Sequence, residues 1–347
     1  MTVFSKVQGF ISRHRNKFYI GGAIISGSIL LTKYAQYKLR EWQERETKEF
    51  FDRNRKQNHF ESIERTKSQT FSNFAVALLD LISDTVNTDE IIERLKTNPE
   101  NKVELWNNLK VLVMTKVAVT VYSLVMLAVT LNMQLMIIGG YLYKDPNSIP
   151  TDVQEKYLAH CQNFINEGVK KLAKLIENEV QKYVGNMELT KQLKLGDIEN
   201  LNWSVQVALS SQKDGPIESF RSFIFSSEQT SGNSSNSIVY DNMLRDTADF
   251  LESEEVKSLT THCINQGFIL LGDQLAELYT KSNMAGDASN SDESFKNPFE
   301  LQKPLAKLIP LINGLLNKQS FPHALIQQLS SNKKLQTLNA NVYESLL

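Results

Sequence analysis

The stretch VAVTVYSLVMLAVTLNMQLMIIGGYLY, residues 117–143, runs for 27 residues without an Asp, Glu, Lys, Arg or His. About 20 apolar residues suffice for a helix to cross a bilayer, so a membrane span is one reading. A helix apolar on every side is also what the central rod of a large soluble bundle looks like. The helical pattern begins upstream near Asn101 and carries Lys110 and Lys116. Asn132 and Gln134 would sit within the span, where polar side chains need partners. Hydropathy alone leaves both readings open.

Toward the N-terminus, the first forty residues contain no Asp or Glu. They hold a 15-residue apolar run, residues 18–32, which begins at Phe18, ends at Thr32 and is fenced by Lys17 and Lys33. The run ends in Lys33 and Tyr34 without the small-residue cleavage pattern of a signal peptide, which predicts a retained anchor. At about 1.5 Å per residue it covers roughly 23 Å of a ~30 Å hydrocarbon core, so flanking lysines must snorkel. Gly22 with Ser26, and Ala23 with Gly27, have the small-xxx-small spacing of paired membrane helices, although small residues are common here. Lys6, Arg13, Arg15 and Lys17 before the run balance Lys33, Lys38 and Arg40 after it, so charge does not orient the span.

Downstream, residues 34–67 are charged and helix-compatible. Glu41/Arg45, Glu44/Lys48 and Glu49/Arg53 place each acid four residues before a base. Phe71, Phe74, Leu78, Leu81 and Ile82 then take up helical spacing. A short helix over residues 89–96 ends before Asn98 and Pro99. Thr151 and Gln154 predict a capping box after Pro150. Tyr157, Cys161, Phe164, Leu172, Ile176, Val180 and Tyr183 keep an amphipathic helical period. Residues 193–209, 244–278, 304–316 (interrupted by Pro310) and 324–347 read as further helix. The polar segments 226–237 and 282–292 read as linkers. The expected organisation is a basic tip (1–17), a transmembrane anchor (18–32), a charged helical stalk (33–67) and a helical bundle (68–347).

The net charge of -1 offers no basic face for nucleic acid. Two cysteines, Cys161 and Cys263, make no disulfide framework and fit a reducing compartment. His160 beside Cys161, and His262 beside Cys263, invite a zinc reading. Neighbours on a helix diverge by about 100°, however, and both cysteines fit apolar stripes. No phosphate loop, dinucleotide fingerprint or nucleophile elbow is present in the sequence. The expectation is therefore no catalytic residue, no metal, no cofactor, no small-molecule substrate and no nucleic acid. Of Trp42, Trp106 and Trp203, a tryptophan near a helix start is ordinarily core. Lys102 lies one turn before Trp106, a pairing that suits docking of an amphipathic helix with acidic edges.

Six stretches in chain order carry a resemblance: LREWQERE (39–46, after Lys33 and Tyr34), HFESIERT (59–66), NKVELWNNLK (101–110), LNMQLMIIGGYLY (131–143), PLAKLIPLINGLL (304–316) and ANVYESL (340–346). Together they resemble the peroxisomal biogenesis factor 3, or peroxin-3, family. The resemblance implies an all-α fold: an elongated single helical bundle around a long central apolar helix, with an N-terminal membrane anchor. Residues 117–143 would then be the buried rod. It further implies a docking receptor in the peroxisomal membrane, single-pass with its C-terminal domain in the cytosol, with passage through the endoplasmic reticulum left open. The implied partners are the N-terminal amphipathic helix of the chaperone peroxin-19, peroxisomal membrane protein cargo and the lipid bilayer. The implied groove comprises Leu95, Lys102, Trp106 and Lys307, with Trp106 as apolar anchor and the lysines meeting acidic or carbonyl groups. Arg13, Arg15 and Lys17 with the span resemble the family's targeting signal. Two alternatives remain from the residues alone: a signal-anchored adaptor of the mitochondrial outer membrane, and a two-span channel.

Overall fold

The structure, a computed structural model, describes the backbone of residues 15–225, 235–284, 300–317 and 320–347, and the side chains of residues 32–225, 238–279, 300–317 and 320–347. It divides into two units, Met1–His59 and Phe60–Leu347. Arg13 therefore lies outside the described residues. The side chains of Arg15, Lys17 and Phe18, and almost all of the expected anchor, lie outside them too. The backbone there is helical from Arg15, within α1 (Arg15–Thr85).

In the first unit, Thr32, Lys33 and every residue on to position 53 are exposed. The acids at the start of the stalk pair with bases before them, not after: Lys38 with Glu41 at 3.1 Å and Arg40 with Glu44 at 3.3 Å. Exposed pairs of this kind contribute well under about 1 kcal/mol, so little energy selects one register over the other.

The second unit is built on α3 (Lys102–Lys144), whose most apolar window is 94% buried within the protein. Protein covers this surface, and the span reading of 117–143 gives way to the rod. Before it comes α2 (Thr88–Lys96), capped by the Asn87 side chain on the Glu90 amide at 3.1 Å. Between them Asn98 takes φ 59°, a left-handed position after the helix C-cap that asparagine tolerates better than most residues. Then follow α4 (Thr151–Asn163), a π-helical turn (Phe164–Gly168), α5 (Val169–Val184), β1 (Gln192–Leu193), α6 (Leu195–Ser210), α7 (Phe220–Ile224), α8 (Ser235–Glu252), α9 (Glu254–Met284), β2 (Lys303–Pro304), α10 (Leu305–Asn317), α11 (Ser320–Ser330) and α12 (Lys333–Ser345). The two short strands pair antiparallel, Gln192 opposite Pro304 and Leu193 opposite Lys303. The described residues are thus almost wholly helical, and α3 packs against α2, α4, α5, α8, α9, α10, α11 and α12.

The two buried amide side chains of the rod find protein partners, while among the described residues the buried hydroxyls of Thr115 and Ser123 do not. The Gln134 side-chain amide donates to the Tyr157 carbonyl at 2.7 Å, and its oxygen accepts from the Cys161 thiol at 2.9 Å. Asn132 accepts from Asn339 of α12 at 3.0 Å and donates to the Ala128 carbonyl at 2.6 Å. Asn339 also donates to Glu64 at 2.7 Å, and Glu64 holds Lys67 at 2.6 Å. This chain of contacts ties α1, α3 and α12 together. Gly139 and Gly140 allow the same close approach. A methyl on Gly139 would collide with Ile63 Cδ1, and one on Gly140 would lie 2.7 Å from Leu346 Cβ.

Several local expectations are corrected. The capping box at Thr151 does not form, because Pro150 takes the N-cap and leaves Thr151 inside the helix. The Gln154 side chain instead donates to the Ile149 carbonyl at 2.9 Å. Pro310 does not interrupt α10, which continues through it with Leu308, Ile309 and Ile312 buried. The C-terminal helical stretch is two helices, since Asn332 caps α12 through its side chain on the Lys334 and Leu335 amides. Most of the expected linkers at 226–237 and 282–292 lies outside the described residues, while 235–237 and 282–284 are helical. Trp42 and Trp203 are exposed, so neither is core.

Candidate functional site

The apolar core fixes the first turns of α2, α3 and α10. Leu105 and Leu109 bury one face of α3, and Leu305, Leu308 and Ile309 bury one face of α10. What remains outside is the candidate site. Leu95 is half-buried near the end of α2, and Lys102 is exposed at the first position of α3. Trp106, one turn later, is half-buried and packed against the core. Lys307 is exposed on the first turn of α10.

Hydrogen bonds tie these elements to one another within the second unit. One turn beyond Trp106, the buried Lys110 amine donates to Asn107 at 2.9 Å and to the Met187 carbonyl. Two residues on, the Leu189 carbonyl accepts from the Ala306 amide at 2.9 Å, beside Lys307. Farther along, the buried Lys116 amine reaches Thr88 of α2 at 3.5 Å and Asn317 of α10 at 3.4 Å. Among the described residues no hydrogen bond or ion pair joins Leu95, Lys102, Trp106 and Lys307 to one another. Burial pulls the Lys110 amine below its ordinary pKa, and Lys303 is lowered by burial and then by nearby Lys307. Val103, 69% exposed and three residues before Trp106, belongs to the same surface. Sequence reasoning missed it; an apolar residue between Lys102 and Glu104 in a first turn was the available signal.

The two cysteines are packed rather than poised for chemistry. Burial pushes the Cys161 thiol up to about 12 and the Cys263 thiol up to about 11, so neither is a thiolate at neutral pH. Among the described residues no His/Cys/Asp/Glu group has a metal-binding arrangement. A cleft of about 700 Å³ lies elsewhere, lined by mixed charges including Arg221, Asp241, Arg245 and Glu252.

His160 is buried, shares a 2.9 Å hydrogen bond with the Tyr240 hydroxyl and meets the Phe225 ring edge-on at 4.9 Å. Burial pushes its pKa down to about 4. A depressed histidine stabilises the fold fully above its unfolded value of about 6.5 and progressively less as pH falls toward 4. Thermal melts between pH 7.5 and pH 4.5 should therefore lose up to about 3 kcal/mol more in wild type than in His160→Gln. Parallel pH profiles would contradict this.

Fold and site together define, among the described residues, an almost wholly helical scaffold wrapped on a long apolar rod. A family model described as Peroxin-3 matches residues 9–101 and 141–345, on either side of most of α3. Peroxisomal biogenesis factor 3 of Homo sapiens is 33% identical over 363 residues, covering 98% of this chain and 96% of that protein. Its Rattus norvegicus counterpart is 32% identical over 359 residues, covering 97% and 96%. Peroxisome biogenesis protein 3-2 of Arabidopsis thaliana is 25% identical over 210 residues, covering 53% and 57%. The chain belongs to the peroxin-3 family, whose members are non-enzymatic membrane proteins of peroxisome biogenesis.

Proposed function

We propose that this protein is a docking receptor at the peroxisomal membrane that captures the N-terminal amphipathic helix of the chaperone peroxin-19 and so receives peroxisomal membrane protein cargo. The observation that carries this reading is the half-buried Trp106 beside exposed Val103 and Lys102 on α3, with Lys307 exposed on the first turn of α10, which residues 187–189 link to α3. An aromatic anchor on an apolar floor, with cations at its rim, suits a helix with one apolar face and acidic edges. In this mechanism Trp106 and Leu95 take up the helix's apolar residues. Lys102 and Lys307 meet its carboxylates or its C-terminal carbonyls, where the helix dipole favours positive charge. Binding at the membrane is followed by cargo handover and release, and no covalent step is involved.

Residues 18–32 serve as the single span, with Arg13, Arg15 and Lys17 before it and the second unit in the cytosol. Imaging residues 1–45 fused to a fluorescent protein tests the targeting half, with peroxisomal puncta expected and mitochondrial rings opposing it. Calorimetry with the peroxin-19 N-terminal peptide tests the groove: Trp106→Ala should weaken binding by roughly 2–4 kcal/mol, the range for a central aromatic hot spot. Unchanged affinity in a folded variant would sink the groove assignment.

A further inference from the structure

Trp203 is 58% exposed on α6, and Val207, one turn on, is 47% exposed. Ile269 of α9 is 55% exposed. The two helices pack antiparallel. Glu199 lies against Gly272, Phe268 shares a small cavity with Leu201, Asn202 and Val205, and the Tyr279 hydroxyl donates to the Leu193 carbonyl at 3.3 Å. That register sets Ile269 at the level of Trp203. The charges nearest the two anchors are acidic: Glu199 stands one turn before Trp203 and Asp273 one turn after Ile269. Lys194, Lys257 and Lys281 lie toward the helix ends, and Lys303 reaches the Leu278 carbonyl at 3.5 Å. Glu199 and Asp273 are both exposed, and Asp197 is taken up by the Lys194 amide at 2.8 Å at the start of α6. On the α5 side the adjoining Lys182 is held by Glu179 at 2.6 Å.

We propose that the α6–α9 face is a second docking surface, whose occupant is a cationic amphipathic helix of a partner protein. Trp203 and Ile269 would anchor its apolar stripe, and Glu199 and Asp273 would receive its lysines or arginines. A large exposed tryptophan, with Val207 beside it and an acidic surround, is what such a ligand requires. The charge preference is opposite to that of the surface around Trp106, so the two sites would select different partners.

The test is titration of a labelled synthetic leucine–lysine amphipathic helix into the full chain in neutral detergent. Saturable binding is expected, weakened about tenfold by Trp203→Ala, the loss of one aromatic anchor. Glu199→Lys combined with Asp273→Lys should weaken it by about tenfold again, and added salt should erode binding to wild type. A leucine–glutamate helix of the same length should not bind. Trp203 contributes little to the core, so an unchanged helical circular dichroism melt is the folding control. The proposal is overturned if the peptide does not bind, if it binds Trp203→Ala or the charge-reversed variant as tightly as wild type, or if the leucine–glutamate helix binds equally. Trp203-dependent self-association of the chain, or Trp203-dependent flotation with phosphatidylcholine vesicles, would assign the face to a second copy or to lipid instead and would equally overturn it.

Discussion

Replacing Leu124 by aspartate is expected to abolish cooperative folding of the second unit. Leu124 is completely buried near the middle of α3, in a helix surrounded on all sides by other helices. An unpartnered carboxylate at such a position costs several kcal/mol even after it neutralises, and the lost leucine packing adds about 2–5 kcal/mol. The total approaches the roughly 5–15 kcal/mol that stabilises an ordinary domain. Leu124→Ala provides the graded version, with a loss of about 2–5 kcal/mol in chemical denaturation of the full chain in detergent. A Leu124→Asp protein that still melts cooperatively near the wild-type temperature would contradict the buried-rod architecture.

The second large effect concerns the polar tie between α1 and α12. Lys67 and Glu64 have side chains only 7% and 20% exposed, and Glu64 also accepts from Asn339. Lys67→Met keeps the apolar stem but leaves Glu64 without its cation. Removing one member of a buried pair costs about 3–5 kcal/mol, and the residual exposure of Glu64 brings the expectation to about 2–4 kcal/mol. The double variant Lys67→Met with Glu64→Gln should recover most of that loss, because a neutral amide can still accept from Asn339 without a stranded charge. Equal destabilisation by the single and double variants would mean that the lysine acts through packing alone.

Much of the fold is legible in the sequence because its helices are amphipathic. Phe71, Leu78 and Ile82, or Leu172, Ile176 and Val180, announce both a helix and the face it buries. The rod is harder for the opposite reason. With apolar residues on every side it has no face to read, and lipid or protein would satisfy it equally. Only contacts such as Asn132 with Asn339, between residues 207 positions apart, decide the matter. Caps are poorly legible: the helix expected from residue 89 starts at Thr88 behind an Asn87 cap that its apolar pattern does not announce, and the box at Thr151 fails because that helix starts one residue earlier than its pattern implies. Leu95 and Lys307 were not readable from spacing and entered through the family resemblance. Lys102 and Trp106 share a spacing found on countless helices. Trp203 misled because exposure depends on which neighbours the fold supplies, not on the residue itself.

The burial of α3 has a further consequence for biosynthesis. Synthesis runs from the N-terminus, and most of what covers α3 lies after it, ending with Asn339 and Tyr343 near the last residues. While those helices are still being made, the ribosome presents a long oily segment with nothing to hide it. At that moment it is chemically indistinguishable from a segment destined for the bilayer. A chain truncated before α12 would leave bare the part of the rod that α12 covers, including Asn132, whose partner Asn339 would be lost.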